Sequence, residues 1–380
     1  MQGRKVLYLS LVIVLVTFFL ITSPAFAIRG PYDDFSGGYL EGDKWTQGQF
    51  IREIVSGELR SVIADSKQAW GNNLNQTPFN NNPDTIEKIR ANVRVTQMGL
   101  GDEDTNMVAA QIEGFFYSSA SGDIWAGVFI GKGYDGECRG NDNNLKAWYM
   151  IAENYVPVAQ GNIGFCGSWQ FGDSVEIKIE YDGTQTFAFH VGSYSATGVT
   201  GPAFAGDSAS PFKSLTTGIW GNADQGGGWA EAYFDNVYVD RGSGYAAYDE
   251  FASAPLNSTN WERLEEVRQV TDVGGDYKLR SEIRGVNQSR SMNTDLFYSN
   301  APYVEAKVQV SSGSQFTGST NKKARARIWG WFFNTKRGPG SGQPYDGRDG
   351  DVFVQLALTT YDESGVTKLR AEALADETDR

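Results

Sequence analysis

The sequence predicts an all-β chain made of two tandem copies of one β-sandwich, the second copy incomplete. Three observations carry this. One stretch occurs twice: Tyr32-Asp33-Asp34-Phe35, followed by Leu40 and Trp45, returns as Tyr248-Asp249-Glu250-Phe251 with Leu256 and Trp261, every pair 216 residues apart. The run 110–117 (AQIEGFFY) is echoed at the same offset by 326–333 (ARIWGWFF), and a register held over about 80 residues marks a duplicated domain. Short alternating runs, 45 glycines, 13% aromatic residues and no long helical pattern then fit a sandwich or barrel. Finally the echo stops: nothing in the second copy corresponds to 155–240. That copy would lack about four strands and keep open edges, so the chain is expected to be a fragment or to be completed by something else.

The 380 residues fit two such domains. At the N-terminus, Arg4 and Lys5 precede an apolar run over 6–21, Pro24 and Ala25-Phe26-Ala27. This reads as a secretory signal peptide over 1–27. The rival, a retained anchor, rests on about 20 apolar residues being enough to cross a bilayer; Pro24 and the small-x-small cleavage pattern favour removal. No other apolar run is long enough, so no membrane span is expected after cleavage, and the protein is expected outside the cytoplasm: extracellular, periplasmic or at the cell surface. Loss of Arg4 and Lys5 takes the formal charge from -13 to near -15, with 31 basic against 46 acidic residues. Such a chain is a poor general partner for nucleic acid. In an oxidising compartment the two cysteines, Cys138 and Cys166, are most simply a disulfide.

Taken in order, 28–39 opens the first copy as an edge strand. Residues 49–65 read as a strand pair, with Leu59, Ser61 and Ile63 alternating against Arg60 and Val62. The asparagine-rich stretch 72–83 reads as a surface loop. Residues 89–96 alternate, 108–117 form a longer strand, and 124–130, apolar on both faces, a central one. Residues 132–144 are a turn cluster around Cys138; 145–153 and 161–167 then form a hairpin that a Cys138–Cys166 bridge would staple. Over 175–181, Val175, Ile177 and Ile179 alternate with Glu176, Lys178 and Glu180, Asp182-Gly183 turns the chain, and 186–191 returns. A glycine-rich loop at 221–228 leads into a closing strand at 232–239, and 241–244 is a short linker. The first domain is therefore 28–243 and the second 244–380, in which 350–353 corresponds to 122–125 after an insertion.

The Asp-Asp-Phe…Trp opening, the hairpin at 175–191 and the closing Tyr233-Phe234-Asp235-Asn236-Val237-Tyr238-Val239 strand together resemble the concanavalin A-like jelly roll. That superfamily includes laminin-G-like modules, laminarinase-type glycoside hydrolases and alginate-lyase-type polysaccharide lyases. The resemblance covers the first copy throughout and the front of the second. It implies tandem jelly rolls with an extracellular polysaccharide or glycan as partner, and leaves binding and cleavage both open, because such folds host many chemistries. It also implies a structural calcium held by Asp34 and Asp235 on the first and last strands.

The catalytic patterns of the superfamily are incomplete here. Retaining glycosidases need two carboxylates about 5 Å apart, supplied in the laminarinase type by a Glu-x-Asp-x-x-Glu strand that this sequence lacks. Glu176, Glu180 and Asp182 have the wrong spacing and read as a solvated strand face. Arg280-Ser281-Glu282-Ile283-Arg284 resembles the lyase-type Arg-Ser/Thr-Glu-Leu-Arg strand, which would put Arg280, Glu282 and Arg284 on one face, with Arg327, to grip an acidic polymer. The bland alternative is an ordinary charged strand face. The lyase Gln-Ile/Val-His strand is met only by Gln111-Ile112-Glu113 and Arg327-Ile328-Trp329, with the histidine replaced in both; the one histidine, His190, lies on the polar side of a hairpin.

Binding has more support. The expected aromatic platform is Phe115, Tyr117, Trp125 and Trp148 in the first copy and Trp329, Trp331 and Phe333 in the second. Such rings stack on sugar faces, and arginines fork onto carboxylates or sulfates; the rival is that the rings pack under loops. The expected protein is an exported, non-catalytic, carbohydrate-binding tandem sandwich. The alternatives are a polysaccharide-degrading enzyme whose chemistry lies in a missing C-terminal part, and a cell-surface adhesion or scaffold protein.

Overall fold

The computed structural model describes residues 32–41, 44–45, 48–64, 72–101, 105–140, 142–200, 202–221, 228–263, 265–284, 304–310, 323–334, 351–363 and 366–377; the expected signal at 1–27 lies outside them. The chain divides into two compact units, one ending at Phe297 and one starting at Tyr298.

The strands of the first unit are β1 (Phe50–Val55), β2 (Glu58–Ala64), β3 (Asn72–Pro78), β4 (Lys88–Gly99), β5 (Thr105–Ser118), β6 (Asp123–Lys132), β7 (Asn144–Glu153), β8 (Val156–Asn162), β9 (Trp169–Gln170), β10 (Ser174–Tyr181), β11 (Thr186–Val191), β12 (Tyr194–Val199), β13 (Lys213–Gly221), β14 (Trp229–Asp240), β15 (Tyr245–Asp249), β16 (Glu265–Asp272) and β17 (Tyr277–Arg284). They form two antiparallel sheets, an all-β jelly-roll sandwich. One runs β12-β11-β10-β4-β14-β2-β1-β16-β17 with β15 added on β14, the other β3-β13-β5-β6-β7-β8 with β9 added on β7.

The core lies where the apolar faces of these strands meet. Ile89, Ala91, Val93 and Val95 of β4 and Ala232 and Phe234 of β14 join Val108, Ala110 and Ile112 of β5 and Ile124, Ala126, Val128 and Ile130 of β6 in one buried cluster. Each fully buried branched or aromatic side chain there contributes about 1.5–3 kcal/mol. The β10–β11 hairpin forms where alternation places it: Val175, Ile177, Ile179 and Tyr181 are buried. Its turn is held by Asp182, whose Oδ1 accepts from the amides of Thr184, Gln185 and Thr186. These bonds outweigh the cost of burial and bring its carboxyl down to about 2.

Two expectations need correction. Residues 72–78, read as loop, form β3, paired to β13. The asparagines do not expel this segment to solvent because Asn75, fully buried, donates its amide to Ile51 O at 2.6 Å and Val62 O at 3.1 Å. The linker expected at 241–244 is a hairpin turn, with the Gly242 and Gly244 amides both donating to Asp240 Oδ1 at 2.9 Å. Beyond it β15 pairs back on β14, β16 pairs with β1, and β17 extends that edge. Residues 245–284 thus complete the first sheet, and Phe251, Leu256 and Trp261 enter the first core. In the β1–β16 pairing Ile51 lies opposite Val267, its counterpart at the 216-residue offset.

The second unit contains β18 (Lys323–Asn334), β19 (Asp351–Glu363) and β20 (Val366–Glu377), a three-stranded antiparallel sheet in that order. Trp331 pairs with Phe353 just before a register shift in β18, as Phe115 pairs with Trp125 just before one in β5.

Candidate functional site

The site grows from alternation along β5. Val108, Ala110 and Ile112 point into the core, so Ala109, Gln111 and Glu113 point to the outer face of the β3-β13-β5-β6-β7-β8 sheet. Strand register then places Gln76, Thr216, Gln111, Phe129 and Trp148 in one row across β3, β13, β5, β6 and β7. The adjacent row is Ser214, Glu113, Gly127 and Met150. Thr216, Gln111, Ser214 and Trp148 are fully buried and Glu113 is nearly so.

Glu113 Oε1 accepts from Thr216 Oγ1 at 2.7 Å and from Gln76 Nε2 at 3.2 Å. Burial pushes its carboxyl up, against these bonds, which favour the charged form. A carboxyl raised in this way leans towards its protonated form, in which it can donate as well as accept. Beside it, both polar atoms of the Gln111 amide and the Trp148 indole N–H have no hydrogen-bond partner among the described residues. A buried polar group left without a partner costs about 1–3 kcal/mol, so this face holds unmet demand for hydrogen bonds.

The rim is aromatic. Trp125, Trp220, Tyr134, Met107 and Met150, all partly exposed, surround the buried trio Ala109, Phe129 and Trp148. Gly127 makes room for the Trp125 ring, since a Cβ at 127 would fall 2.7 Å from Trp125 Cη2. Tyr134 is positioned by its neighbour Asp135, whose carboxylate takes the Lys146 ammonium at 2.7 Å while Glu137 takes it at 2.8 Å. The Cys138–Cys166 disulfide expected from the sequence closes this loop, with Cα atoms 5.4 Å apart.

Of the expected platform, Trp125 lies on this face with its ring partly open. Trp148 is on the same face but is sandwiched between Phe129 and Tyr134, centroids 5.2 and 5.0 Å away and nearly parallel, so neither face of its ring is free; only its N–H is unsatisfied. Phe115 is on the outer side but buried, edge-on to Tyr155. Tyr117 must be removed from the platform: a β-bulge between Phe115 and Tyr117 turns both Phe116 and Tyr117 inward. There Tyr117 stacks on Tyr181 at 5.0 Å and donates to Pro202 O at 3.0 Å. In the second unit Trp329 (36% exposed) and Trp331 flank Phe353 on one face of β18 and β19. Arg327 lies over Trp329 at 5.4 Å and donates to Gln355 at 2.8 Å. Phe333 is on β18, and its side chain lies outside the described residues.

The charged stretch is elsewhere. Arg280, Glu282 and Arg284 sit on β17, in the other sheet from Gln111 and Glu113, so the two lyase-like stretches are not brought together. Arg280 pairs with Glu53 at 3.2 Å and Glu282 at 2.6 Å, and Arg284 with Glu265 at 3.6 Å and with Glu282. Their charges are answered within the protein. The two acids expected to hold calcium have these surroundings. Asp34 caps the Ser36 amide, whereas Asp235 is pushed up by burial and by Glu58 and Glu250, the latter being the counterpart of Asp34. No group of three His, Cys, Asp or Glu side chains fit to hold a metal occurs among the described residues. Gln76, Thr216 and Trp220 were missed by sequence reasoning; the signal that could have found them is the alternation of polar and aromatic residues on β3, which was expected to be loop, and on β13, for which no strand was expected.

No protein-family model matches the chain, and no curated protein matches it. Among solved structures, scytalido-glutamic peptidase with a transition-state analogue inhibitor is 11% identical, with a TM-score of 0.32 over 56% of this chain and 98% of that one. An alginate lyase from Pseudomonas aeruginosa is 9% identical, with a TM-score of 0.30 over 53% and 99%. A galectin from Caenorhabditis elegans is 8% identical, with a TM-score of 0.19 over 45% and 94%. At these scores the likeness assigns neither substrate nor activity.

Proposed function

We propose that this chain is an exported carbohydrate-binding β-sandwich protein, built as tandem copies, that seats a neutral sugar chain on the outer face of the β3-β13-β5-β6-β7-β8 sheet. The observation that carries the reading is the placement of the partly open indoles of Trp125 and Trp220 on one sheet face, beside the polar row of Gln76, Thr216 and Gln111. A sugar offers the two partly open rings an apolar C–H face to stack on. A neutral polymer suits the site because Glu113 repels anions when charged, and Arg280 and Arg284 are already paired. Trp329 and Trp331 offer the aromatic half of the same arrangement on β18.

The test is affinity electrophoresis through gels holding neutral glucans or alginate. Retardation by a neutral glucan is expected, and Trp125→Ala with Trp220→Ala should abolish it. Unchanged retardation of that double variant, with an intact circular dichroism spectrum, would sink the proposal.

A second reading, a polysaccharide-degrading enzyme, is favoured by one observation: the raised carboxyl of Glu113 suits a proton donor. The two described rows carry no second carboxyl of the kind that paired-carboxylate hydrolysis requires. Release of reducing or unsaturated ends by the wild type, lost in Glu113→Gln, would put this reading in place of the first.

A further inference from the structure

A second cleft lies on the outer face of the larger sheet, and alternation builds it too. Leu59 and Ile63 of β2 and Ala230, Ala232 and Phe234 of β14 point into the core, so Arg60, Val62, Trp229, Glu231 and Tyr233 point outward. Register sets Ala64, Trp229 and Gly99 in one row and Ile51, Val62, Glu231 and Gln97 in the next. The third row is Glu53, Arg60, Tyr233 and Arg94. Arg60 and the first two rows line a cleft of about 170 Å³, to which Gln49 and Gln269 also contribute.

The polar groups of the cleft are fixed in place. Glu231, 7% exposed, accepts at Oε1 from Arg60 Nε at 2.8 Å and from the Tyr233 hydroxyl at 3.0 Å, and at Oε2 from Gln97 Nε2 at 2.6 Å. Arg60 also donates to Glu53 at 3.2 Å. Burial opposes the charge on Glu231, but Arg60, Gln97 and Tyr233 outweigh it and hold the carboxyl below its usual range. An ionised carboxylate has about four acceptor positions. Three are taken here, and the fourth is on Oε2. Gln97 and Gln269 add side-chain amides, a group that both donates and accepts. The apolar part is a ring. Trp229 is 38% exposed, and its indole lies over Gly99, where a Cβ would fall 2.1 Å from Trp229 Cζ2. Val62 and the buried Ile51 lie in the row between Trp229 and Arg60.

We propose that this cleft is a second carbohydrate site, which takes one neutral pyranose ring stacked on Trp229 with its hydroxyls on Glu231, Gln97 and Gln269. An aromatic ring beside fixed donors and acceptors matches a molecule with an apolar C–H face and hydroxyls at its edge. The volume is close to the ~150 Å³ of a cavity that holds benzene and below the ~300 Å³ at which drug-sized pockets begin, so it fits one six-membered ring. The charges disfavour an acidic sugar: Arg60 is committed to Glu231 and Glu53, and those two carboxylates repel a third. Glu231 and Arg60 are already held by their neighbours, so binding orders few side chains. The cleft is on the opposite sheet from Trp125 and Trp220 and does not depend on what that face binds.

The experiment is saturation-transfer NMR on the full chain with the methyl glycosides of glucose, galactose and mannose and with glucuronic acid, followed by titration. At least one neutral glycoside is expected to bind, with millimolar affinity. Trp229→Ala should weaken binding at least tenfold, and Trp229→Tyr, which keeps a ring to stack on, should restore most of it. Gln97→Ala, at an exposed position, should weaken it several-fold. Circular dichroism checks the fold of each variant, and the tyrosine variant separates loss of the ring from loss of structure. The same titration is repeated in Trp125→Ala with Trp220→Ala, where binding that Trp229→Ala removes should persist. Binding lost in that double variant belongs to the other face; it overturns this site and leaves the function proposed above standing. Absence of binding by every neutral glycoside, binding that Trp229→Ala leaves unchanged, or glucuronic acid bound as tightly as its neutral counterpart also overturns the proposal.

Discussion

Replacing Lys213 by methionine should flatten the pH dependence of stability on the alkaline side of neutral. Lys213 is 1% exposed and lies opposite Gly114, where a Cβ would fall 2.4 Å from Lys213 Cγ. Its ammonium donates to Pro83 O at 2.7 Å and Phe115 O at 2.8 Å and sits 4.8 Å from the centre of the Phe116 ring. Burial pushes it from 10.5 down to about 7, with Asp84 opposing. Between pH 7 and 10.5 the unfolded chain therefore holds a proton that the folded chain has released, and the folded state gains as pH rises. At about 1.4 kcal/mol per pH unit the whole window is worth about 5 kcal/mol. Above pH 10 the buried Tyr181 and the half-buried Tyr245, both pushed up by desolvation, give an opposing slope, because the folded state keeps protons that the unfolded state loses. The clean comparison is urea unfolding of wild type and Lys213→Met at pH 6, 7.5 and 9.5. The stability of wild type relative to the variant should grow by about 2–3 kcal/mol from pH 7.5 to 9.5. The carbonyls left without a donor in the variant shift its curve by a constant and not its slope. Parallel curves would refute the buried, depressed ammonium.

The remaining predictions concern the repeated segment, the candidate site and the disulfide. Trp261→Ala should cost about 3–5 kcal/mol in denaturant unfolding, the range for emptying a buried tryptophan site, while Trp45→Ala, at its half-buried counterpart, should cost about 1–2 kcal/mol; equal costs would mean the two rings are equally buried. Glu113 has a raised folded pKa, so its contribution to stability is present below the ordinary carboxyl range and lost as pH rises through the folded value. Glu113→Gln should therefore raise the melting temperature relative to wild type more at pH 8 than at pH 4, and a difference independent of pH would contradict the burial. Cys138→Ser with Cys166→Ser releases a bridge across a separation of 28 residues and should lower stability by about 3–4 kcal/mol, read by calorimetry.

What could be read in the sequence depended on how local its cause was. The β10–β11 hairpin was legible because one face is buried and the other is not, so a one-residue slip would have buried Glu176, Lys178 and Glu180. The 216-residue spacing located two equivalent segments but not which sandwich each fills, because seating 248–261 depends on Phe79 and Asn80, some 170 residues earlier. Tyr117 was misplaced by a single-residue bulge, which alternation cannot reveal since Phe116 and Tyr117 suit a core as well as a surface. β3 was misread because asparagine marks loops on average, and Asn75 escapes that average only through carbonyls of β1 and β2 that sequence position does not predict.

The site repeats the lesson at higher resolution. Glu113 stood in the sequence as an acid on an apolar strand, which is an oddity and not yet a site. It becomes one when register brings Gln76 from 37 residues before it and Thr216 from 103 residues after it onto one carboxylate oxygen. Each of those residues, read alone, is an ordinary polar strand position. The chemistry therefore resides in the pairing of β3, β13 and β5, and a one-residue shift of β13 against β5 would turn Thr216 into the core and leave Glu113 buried with a single donor. The register that positions the site is thus also what makes so buried a carboxyl tolerable.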